Sequence, residues 1–235
     1  MVIERAGDVL TFTLDNAERG NEVSGVMFDA MLTELERESR RPEARVLRIR
    51  ARGKVFCTGR ERKGQDVQGV RDEALRLIEV KRLLRTSSLI CVAEVQGDAF
   101  GFGFGLAIVC DMVLVAEHAA LGFPEMRSGL APSAIMAYLG EYALPRFAFP
   151  LVLFGDPITP AYALQVGLIS QVCSADRLAG ETDTLIERIL RLDPAATRRC
   201  KNFFQGAQQS SFDENCRLAA EALTVDSVAR LARAK

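Results

Sequence analysis

The sequence predicts a mixed α/β protein with a helical C-terminal region, and three observations support this prediction. Short β-prone runs alternate with helical patterns up to about residue 125. From residue 132 onward, apolar residues recur mostly at helical spacing. The chain has 235 residues, 49% hydrophobic and 26% charged, which suits one globular domain with at most a small appendage. A disordered or collagen-like chain is excluded.

Strands and helices alternate in the first half of the chain. The predicted strands cover residues 2–5, 9–14, 46–50, 89–95, 112–116 and 120–123. A first helix is predicted up to about residue 38, with Ser24 as its N-cap because a serine hydroxyl can accept from backbone N–H groups. A second helix is predicted over residues 72–85, with an apolar face made of Leu75, Ile78, Leu83 and Leu84.

The second half of the chain is predicted to be mostly helical. The expected helices cover residues 133–142, 147–154, 160–166, 176–191, 194–208 and 212–226. No low-complexity linker or fixed-period repeat interrupts the pattern. We expect residues 1–175 to form the core and residues 176–235 to form a helical region that serves as a cap or in assembly.

Charge, histidine and cysteine content exclude several classes of function. The 30 Lys and Arg residues nearly balance 31 Asp and Glu residues, so the overall charge favours neither nucleic acid nor a membrane. His118 is the single histidine and the six cysteines form no C-x-x-C motif, so we expect no metal site. Free thiols and a first segment unlike a signal peptide predict a cytoplasmic protein.

The segment from residue 40 to residue 63 is strongly basic. Its only acids are Glu43 and Glu61, so its net charge is ten minus two, or +8. One interpretation is an anion-binding site on a strand and its following loop. The other is a solvated basic face that pairs with acids elsewhere in the chain. Charge alone does not decide between them.

A glycine-rich turn precedes the apolar run at residues 106–110. Gly101, Gly103 and Gly105 alternate with phenylalanines there. Glycines allow a ligand to approach the backbone closely, and the N–H groups at a helix start favour an anion or a developing oxyanion. The spacing does not fit G-x-G-x-x-G, so a Rossmann-type dinucleotide site is a poor interpretation.

Several segments together resemble the crotonase (enoyl-CoA hydratase/isomerase) superfamily. Residues 46–63, VLRIRARGKVFCTGRERK, resemble the family's strand and GxxFCAGADLK loop. Residues 95–111 resemble its V-x-G-x-A-x-G-G-G-x-x-L-A-x-x-C-D segment. Residues 14–24 and 158–169 resemble LNRPERxNALS and ITAxEALxxGLV. The likeness covers nearly the whole chain in the correct order.

This resemblance implies a fold, an assembly and a ligand. The fold consists of repeated ββα units that give two roughly perpendicular sheets, and its C-terminal helices assemble homotrimers or hexamers. The ligand is a coenzyme A thioester. Coenzyme A is then part of the substrate, so no separate cofactor is expected.

The resemblance also implies which residues form the site. The backbone N–H groups of Arg60 and Phe102 hold the thioester oxygen while an enolate-like intermediate forms. Lys54, Arg62 and Lys63 meet the coenzyme A phosphates. The remaining substrate-binding positions of the two loops are Thr58, Gly59, Gly101, Gly103 and Gly105.

One departure from the family pattern bears on the reaction. Hydratases of the family carry two glutamates, and Gly105 stands where one of them falls. Glu125, in Phe123-Pro124-Glu125, keeps the other. One carboxylate can move a proton between two carbons, as in the family's isomerases, so we expect isomerisation rather than efficient hydration. The alternatives are a catalytically silent acyl-CoA-binding homologue and a decarboxylase-like member.

Overall fold

A computed structural model describes residues 1–208 and 210–233 of the chain. The chain divides into two compact units, Met1–Pro194 and Ala195–Lys235. The first unit contains both sheets and the large hydrophobic core. The helices α8 (Pro194–Ala207) and α9 (Phe212–Arg233) lie almost wholly in the second unit.

A six-stranded sheet with the order β1-β2-β3-β4-β6-β8 forms the centre of the first unit. Its strands are β1 (Val2–Ala6), β2 (Val9–Leu14), β3 (Val46–Ala51), β4 (Ile90–Val95), β6 (Met112–Ala116) and β8 (Gln171–Cys173). Only β1 and β2 pair antiparallel, through a tight turn, and the other neighbours are parallel. All six residues of β4 are buried, which explains why its sequence is apolar except for Glu94, a residue that pairs with Arg48.

A second, two-stranded sheet joins β5 (Ala99–Phe100) to β7 (Leu121–Gly122) in parallel. The pair is extended on one side by a bridge between Cys57 and Ala99, and on the other by a bridge between Leu121 and Ile158. The sequence did not predict β5, because its two residues lie within the glycine-rich turn. This small sheet brings three distant loops together.

The first unit also contains seven α-helices. Besides α8 and α9, the described residues form α1 (Gly25–Arg40), α2 (Val67–Thr86), α3 (Phe102–Ile108), α4 (Ser133–Leu139), α5 (Pro145–Phe154), α6 (Pro160–Gln165) and α7 (Leu178–Leu190). Ser24 caps α1 as predicted, since its side chain accepts a hydrogen bond from the N–H of Met27. Helix α2 begins five residues earlier than predicted because Asp66 caps it through the N–H of Gly69, at 2.7 Å.

Half of the apolar face predicted for α2 is confirmed, since Leu83 and Leu84 are buried, and the other half is wrong. Leu75 and Ile78 are exposed, whereas Leu77, Val80 and Lys81 are buried. A prediction from apolar residues alone does not recognise this part of the buried face, because the face contains Lys81.

Helix α7 belongs with the sheet unit and not with the C-terminal unit. Arg48 of β3 pairs with Asp183 of α7 at 2.8 Å, and Arg45 donates a 2.9 Å hydrogen bond to the carbonyl of Leu190. The predicted boundary between residues 175 and 176 therefore falls before α7, whereas the compact unit extends to Pro194. The assembly role of the C-terminal helices stays a prediction.

Candidate active site

Three loops converge at the ends of the small sheet. The N–H of Phe100 donates to the carbonyl of Cys57 at 2.9 Å, and the N–H of Gly101 donates to the carbonyl of Gly122 at 2.9 Å. These bonds hold the chain after Cys57, the glycine-rich turn and the Pro124-Glu125 segment side by side. The convergence is long-range, because the residues joined by these two bonds are 43 and 21 positions apart in sequence.

A cavity of about 490 Å³ opens between these loops, helix α2 and the start of helix α4. Seven of the predicted site residues line it, namely Thr58, Gly59, Arg60, Arg62, Gly101, Phe102 and Glu125. Helix α2 contributes the face formed by Val70, Glu73, Leu77 and Lys81, residues that lie three or four positions apart. The cavity therefore combines backbone groups of two loops with charged side chains.

The other predicted binding residues lie outside this lining. Lys54 is exposed, and the exposed Lys63 pairs with Glu61 at 2.9 Å. Gly103 packs so closely on Cys57 that a Cβ atom would fall 2.5 Å from the Cys57 Cβ. These residues shape or flank the two loops, and their binding roles stay predictions.

The backbone of Arg60 is oriented by a parallel bridge to Val23. The N–H of Val23 donates to Gly59 at 3.1 Å, and the N–H of Glu61 donates to Val23 at 3.0 Å. Since successive backbone groups of an extended strand alternate in direction, the N–H of Arg60 points away from Val23. This leaves the group free of the bridge, as a predicted oxyanion donor must be.

Phe102 is the first residue of α3, so its N–H has no partner within the helix. Gly101 precedes it with φ +53°, a conformation that favours glycine. The Phe102 ring is buried and packs edge-on against Phe28, with ring centroids 4.9 Å apart. The phenylalanine thus forms an aromatic wall of the cavity while its N–H lies at the helix start.

Glu125 lies over the glycine turn. Its Oε1 atom lies 3.0 Å from the position that a Cβ atom on Gly101 would take. Its Oε2 atom is buried and has no hydrogen-bond partner among the described residues. Burial raises the pKa of this carboxyl above its usual range, against the opposing effect of its own backbone N–H and of the positive charges of Lys81 and Arg62.

Glu73 is the other carboxylate in the cavity wall, and it has a structural task. It accepts 2.7 Å hydrogen bonds from the N–H groups of Lys63 and Gly64, and it pairs with Arg60 at 3.1 Å. These donors lower the pKa of Glu73. Glu73 therefore anchors the loop that carries Arg60, which leaves Glu125 as the carboxylate available to a ligand.

The space beside Gly105 is filled by other side chains. A Cβ atom there would fall 2.6 Å from the Tyr138 hydroxyl and 2.8 Å from the Lys81 Nζ, and it would also clash with Ile135. Lys81 and Tyr138 are hydrogen-bonded at 2.5 Å. The position of the absent glutamate is thus occupied by a lysine and tyrosine pair.

Sequence reasoning missed Lys81. It lies on α2, four residues after the buried Leu77 and three before the buried Leu84. This spacing was a usable signal, since a lysine in register with buried leucines either reaches solvent or performs a function.

The basic segment at residues 40–63 mostly pairs with acids. Its salt bridges join Arg40 to Glu36, Arg41 to Glu43, Arg45 to Asp8, Arg48 to Glu94, Arg50 to Glu4, Arg52 to Asp15 and Arg60 to Glu73. For these residues the second interpretation, a paired basic face, describes the structure. Arg62 and Lys54 form no ion pair with any described residue, and Arg62 lines the cavity.

The described residues contain neither a metal-binding cluster nor a membrane-spanning helix. Among them, no cluster of three or more His, Cys, Asp or Glu side chains could hold a metal ion. None of the described helices combines the length and apolar character that crossing a membrane requires.

Relatives of the chain identify its fold. A crystal structure of an enoyl-CoA hydratase from Mycobacterium smegmatis superposes with a TM-score of 0.91 at 20% identity, covering 96% of this chain and 90% of that one. At this identity the likeness shows the fold alone. It confirms the predicted crotonase-like α/β fold.

Sequence relatives span the same length. A putative enoyl-CoA hydratase of Thermus thermophilus is 26% identical over 226 residues, which is 94% of this chain and 89% of that protein. The 2,3-dehydroadipyl-CoA hydratase of Escherichia coli is 26% identical over 218 residues, covering 89% and 83%. The model of the family described as enoyl-CoA hydratase/isomerase matches residues 4–229. This match, over nearly the whole chain, shows that the protein belongs to the enoyl-CoA hydratase/isomerase family.

Proposed function

We propose that the protein acts on an acyl-CoA thioester through a single carboxylate, and that it isomerises an enoyl-CoA rather than hydrating it efficiently. The observation that carries this proposal is the placement of Glu125. Its carboxylate lies over the glycine turn that precedes Phe102, and one of its oxygens is buried without a partner.

The proposed reaction begins with two backbone donors. The N–H groups of Arg60 and Phe102 hold the thioester oxygen, where negative charge develops. Preorganised donors at such an oxygen contribute roughly 3–4 kcal/mol each. Because both groups belong to the backbone of anchored loops, little reorganisation is needed when the charge appears.

Glu125 performs the proton transfers. Its carboxylate takes a proton from C2 of a 3-enoyl thioester, and the C–H electrons become part of a dienolate whose charge rests on the thioester oxygen. The protonated Glu125 then gives the proton to C4, the carbonyl re-forms, and the double bond lies between C2 and C3. A raised pKa suits a group that must both take and give a proton.

Efficient hydration would need a second group to orient and activate water. Gly105 supplies no acid, and the adjoining space is taken by Lys81, Tyr138 and Ile135. These contacts support isomerisation over hydration.

The cation best placed for a coenzyme A phosphate is Arg62. It lines the cavity and forms no ion pair with the described residues. Lys54 and Lys63 flank the same loop and remain candidates for outer phosphate contacts. A Lys63→Glu change is expected to weaken acyl-CoA binding less than Arg62→Glu, because Lys63 is already paired with Glu61.

Self-association as a trimer or hexamer is part of the proposal. Helix α9 exposes the apolar side chains of Leu218, Leu223, Val225 and Val228, and exposed apolar side chains favour burial against another chain. A cytoplasmic location remains a prediction.

The test offers purified protein matched 2-enoyl-CoA and 3-enoyl-CoA thioesters and identifies each product by mass spectrometry. We expect conversion of the 3-enoyl to the 2-enoyl isomer to exceed formation of the hydrated product by at least about tenfold, since a lost acid–base group costs about 10²–10⁴-fold. Glu125→Gln should abolish the conversion, and Glu117→Gln, at an exposed carboxylate, should not. Hydration that outpaces isomerisation would overturn the proposal.

Two other functions remain as outcomes of this test. A silent acyl-CoA-binding homologue would bind thioesters without converting them. A decarboxylase-like member would release carbon dioxide from a malonyl-type thioester, and would do so equally well in the Glu125→Gln variant.

A further inference from the structure

We propose that Lys81 is a specificity residue that binds an anionic group on the acyl chain, so that the preferred substrates are acyl-CoA thioesters carrying a carboxylate on the acyl part. This inference rests on the proposed function, because it assigns the cavity to the acyl group. It names the class of substrate, and it gives a role to Lys81, which takes no part in the proposed reaction.

The surroundings of Lys81 are those of a preformed binding site. The residue is only 4% exposed, yet it lines the cavity. Its Nζ donates one hydrogen bond, to the Tyr138 hydroxyl, and the hydroxyl donates onward to the carbonyl of Gly105 at 3.3 Å. An ammonium group has three donors, so the tyrosine satisfies only part of its capacity.

The charge of Lys81 has no direct counterpart. It forms no ion pair within 4 Å in the part of the chain that the structure describes, although Glu125 attracts it and Arg60 repels it from further away. Two aromatic faces give partial compensation, with Nζ 5.3 Å from the Phe102 ring centroid and 4.8 Å from the Tyr138 centroid. Burial lowers the pKa of Lys81 to about 7. An anion from outside would restore the charged form.

The location of Lys81 links it to the acyl group. The same Phe102 whose N–H would hold the thioester oxygen presents its ring to the Lys81 Nζ. A carboxylate a few carbons from the thioester would therefore reach the cavity wall that holds Lys81. An unsubstituted acyl chain would instead leave the buried ammonium without a counter-charge, which is unfavourable.

The experiment compares binding of two pairs of saturated thioesters by calorimetry, so that no turnover is needed. Glutaryl-CoA is matched with pentanoyl-CoA, and adipyl-CoA with hexanoyl-CoA. We expect the wild-type protein to bind at least one carboxylated member about tenfold to a hundredfold more tightly than its match, the range expected for a hydrogen bond between charged groups. Binding should take up protons at pH 7.5, measured as a dependence on the ionisation enthalpy of the buffer.

Variants separate Lys81 from other cations. Lys81→Met keeps an unbranched side chain that is one atom shorter and uncharged, and it should lose both the preference and the proton uptake. Tyr138→Phe should reduce the preference. Arg76→Met removes an exposed cation of the same helix, paired with Asp29, and should keep both. Circular dichroism and a melting curve verify that each variant is folded.

Two results would overturn the inference. One is equal or tighter binding of the uncharged partner in both pairs. The other is a preference that survives Lys81→Met. If the preference survives and Lys81→Met also loses turnover on unsubstituted enoyl-CoA, Lys81 transfers protons instead of binding the anion. None of these results bears on Glu125, so the proposed function stands or falls separately.

Discussion

The Oε1 atom of Glu125 lies 3.0 Å from the place where a Cβ atom on Gly101 would stand. The glycine therefore serves two purposes: it adopts φ +53° and it leaves room for the carboxylate. The N–H of Gly101 also donates to the carbonyl of Gly122, which lies three residues before Glu125. The small two-stranded sheet therefore positions both the glycine turn and the segment that carries the carboxylate.

The first prediction concerns Gly101→Ala. The new methyl group should push the Glu125 carboxylate away and strain the turn, and we expect turnover to fall by about 10²-fold, as for a small misplacement of a reacting group. Gly7→Ala is the matched control, because Gly7 has φ +56° with open space around it. Steady-state kinetics measure the effect, and similar losses in both variants would show that strain alone is responsible.

The second prediction concerns the space beside Gly105. Gly105→Ala should lower the free energy of unfolding by about 1–3 kcal/mol, because the methyl group would overlap Tyr138 and Lys81. Gly180→Ala is the control, since nothing lies within 4 Å of its added methyl group. Urea unfolding monitored by circular dichroism compares the two. A Gly105→Ala protein as stable as wild type would mean that Tyr138 and Lys81 move aside at little cost. In that case a Gly105→Glu side chain would also fit, and it would be expected to raise the hydration rate.

The third prediction concerns Glu73, which holds the loop of Arg60. Glu73→Ala should weaken acyl-CoA binding and reduce turnover together, because the backbone of residues 60–64 loses its anchor. Glu79→Ala, on the same helix and paired only with Arg82, should change neither. Equal kinetics in the two variants would contradict the anchoring role.

Glu73 should also influence stability as a function of pH. Its pKa is lowered in the folded protein, so its stabilising effect is present above the pKa of the unfolded chain and is lost as the pH falls through the folded value. The difference in melting temperature between wild type and Glu73→Ala should thus shrink on acidification.

The fourth prediction concerns Glu125, whose effect on stability changes with pH in the opposite direction to that of Glu73. The pKa of Glu125 is raised by burial, so the ionised carboxylate destabilises the folded state, and stability is lost as the pH rises from the unfolded to the folded pKa. Glu125→Gln should therefore melt at or above the wild-type temperature at pH 7, and its advantage should shrink as the pH falls towards the usual carboxyl range. A Glu125→Gln protein that melts below wild type at pH 7 would contradict the claim that the buried, ionised Glu125 carboxylate destabilises the folded state.

Local signals made much of the fold predictable. The cap at Ser24 and the strand runs of the first half are properties of short segments, and the structure confirms them. The two loops and Glu125 were identified through resemblance to a family, and seven of the predicted residues line one cavity.

Long-range packing explains what the sequence did not reveal. The pairing of Lys81 with Tyr138 spans 57 positions, and it depends on how α2 and α4 meet beside Gly105. Likewise, the +8 charge of residues 40–63 suggested one anion site, but most of its arginines pair with acids on distant elements. A local sequence pattern does not indicate which distant residue a lysine or an arginine will contact.

The central claim is that Glu125 is the base, and exchange of the substrate's C2 protons tests it most directly. A 3-enoyl-CoA is incubated with enzyme in deuterated water, and mass spectrometry measures deuterium at C2 together with the isomer formed. We predict that Glu125→Gln lowers exchange and isomerisation by about two to four orders of magnitude while acyl-CoA affinity changes little. Exchange by Glu125→Gln at the wild-type rate would contradict the account.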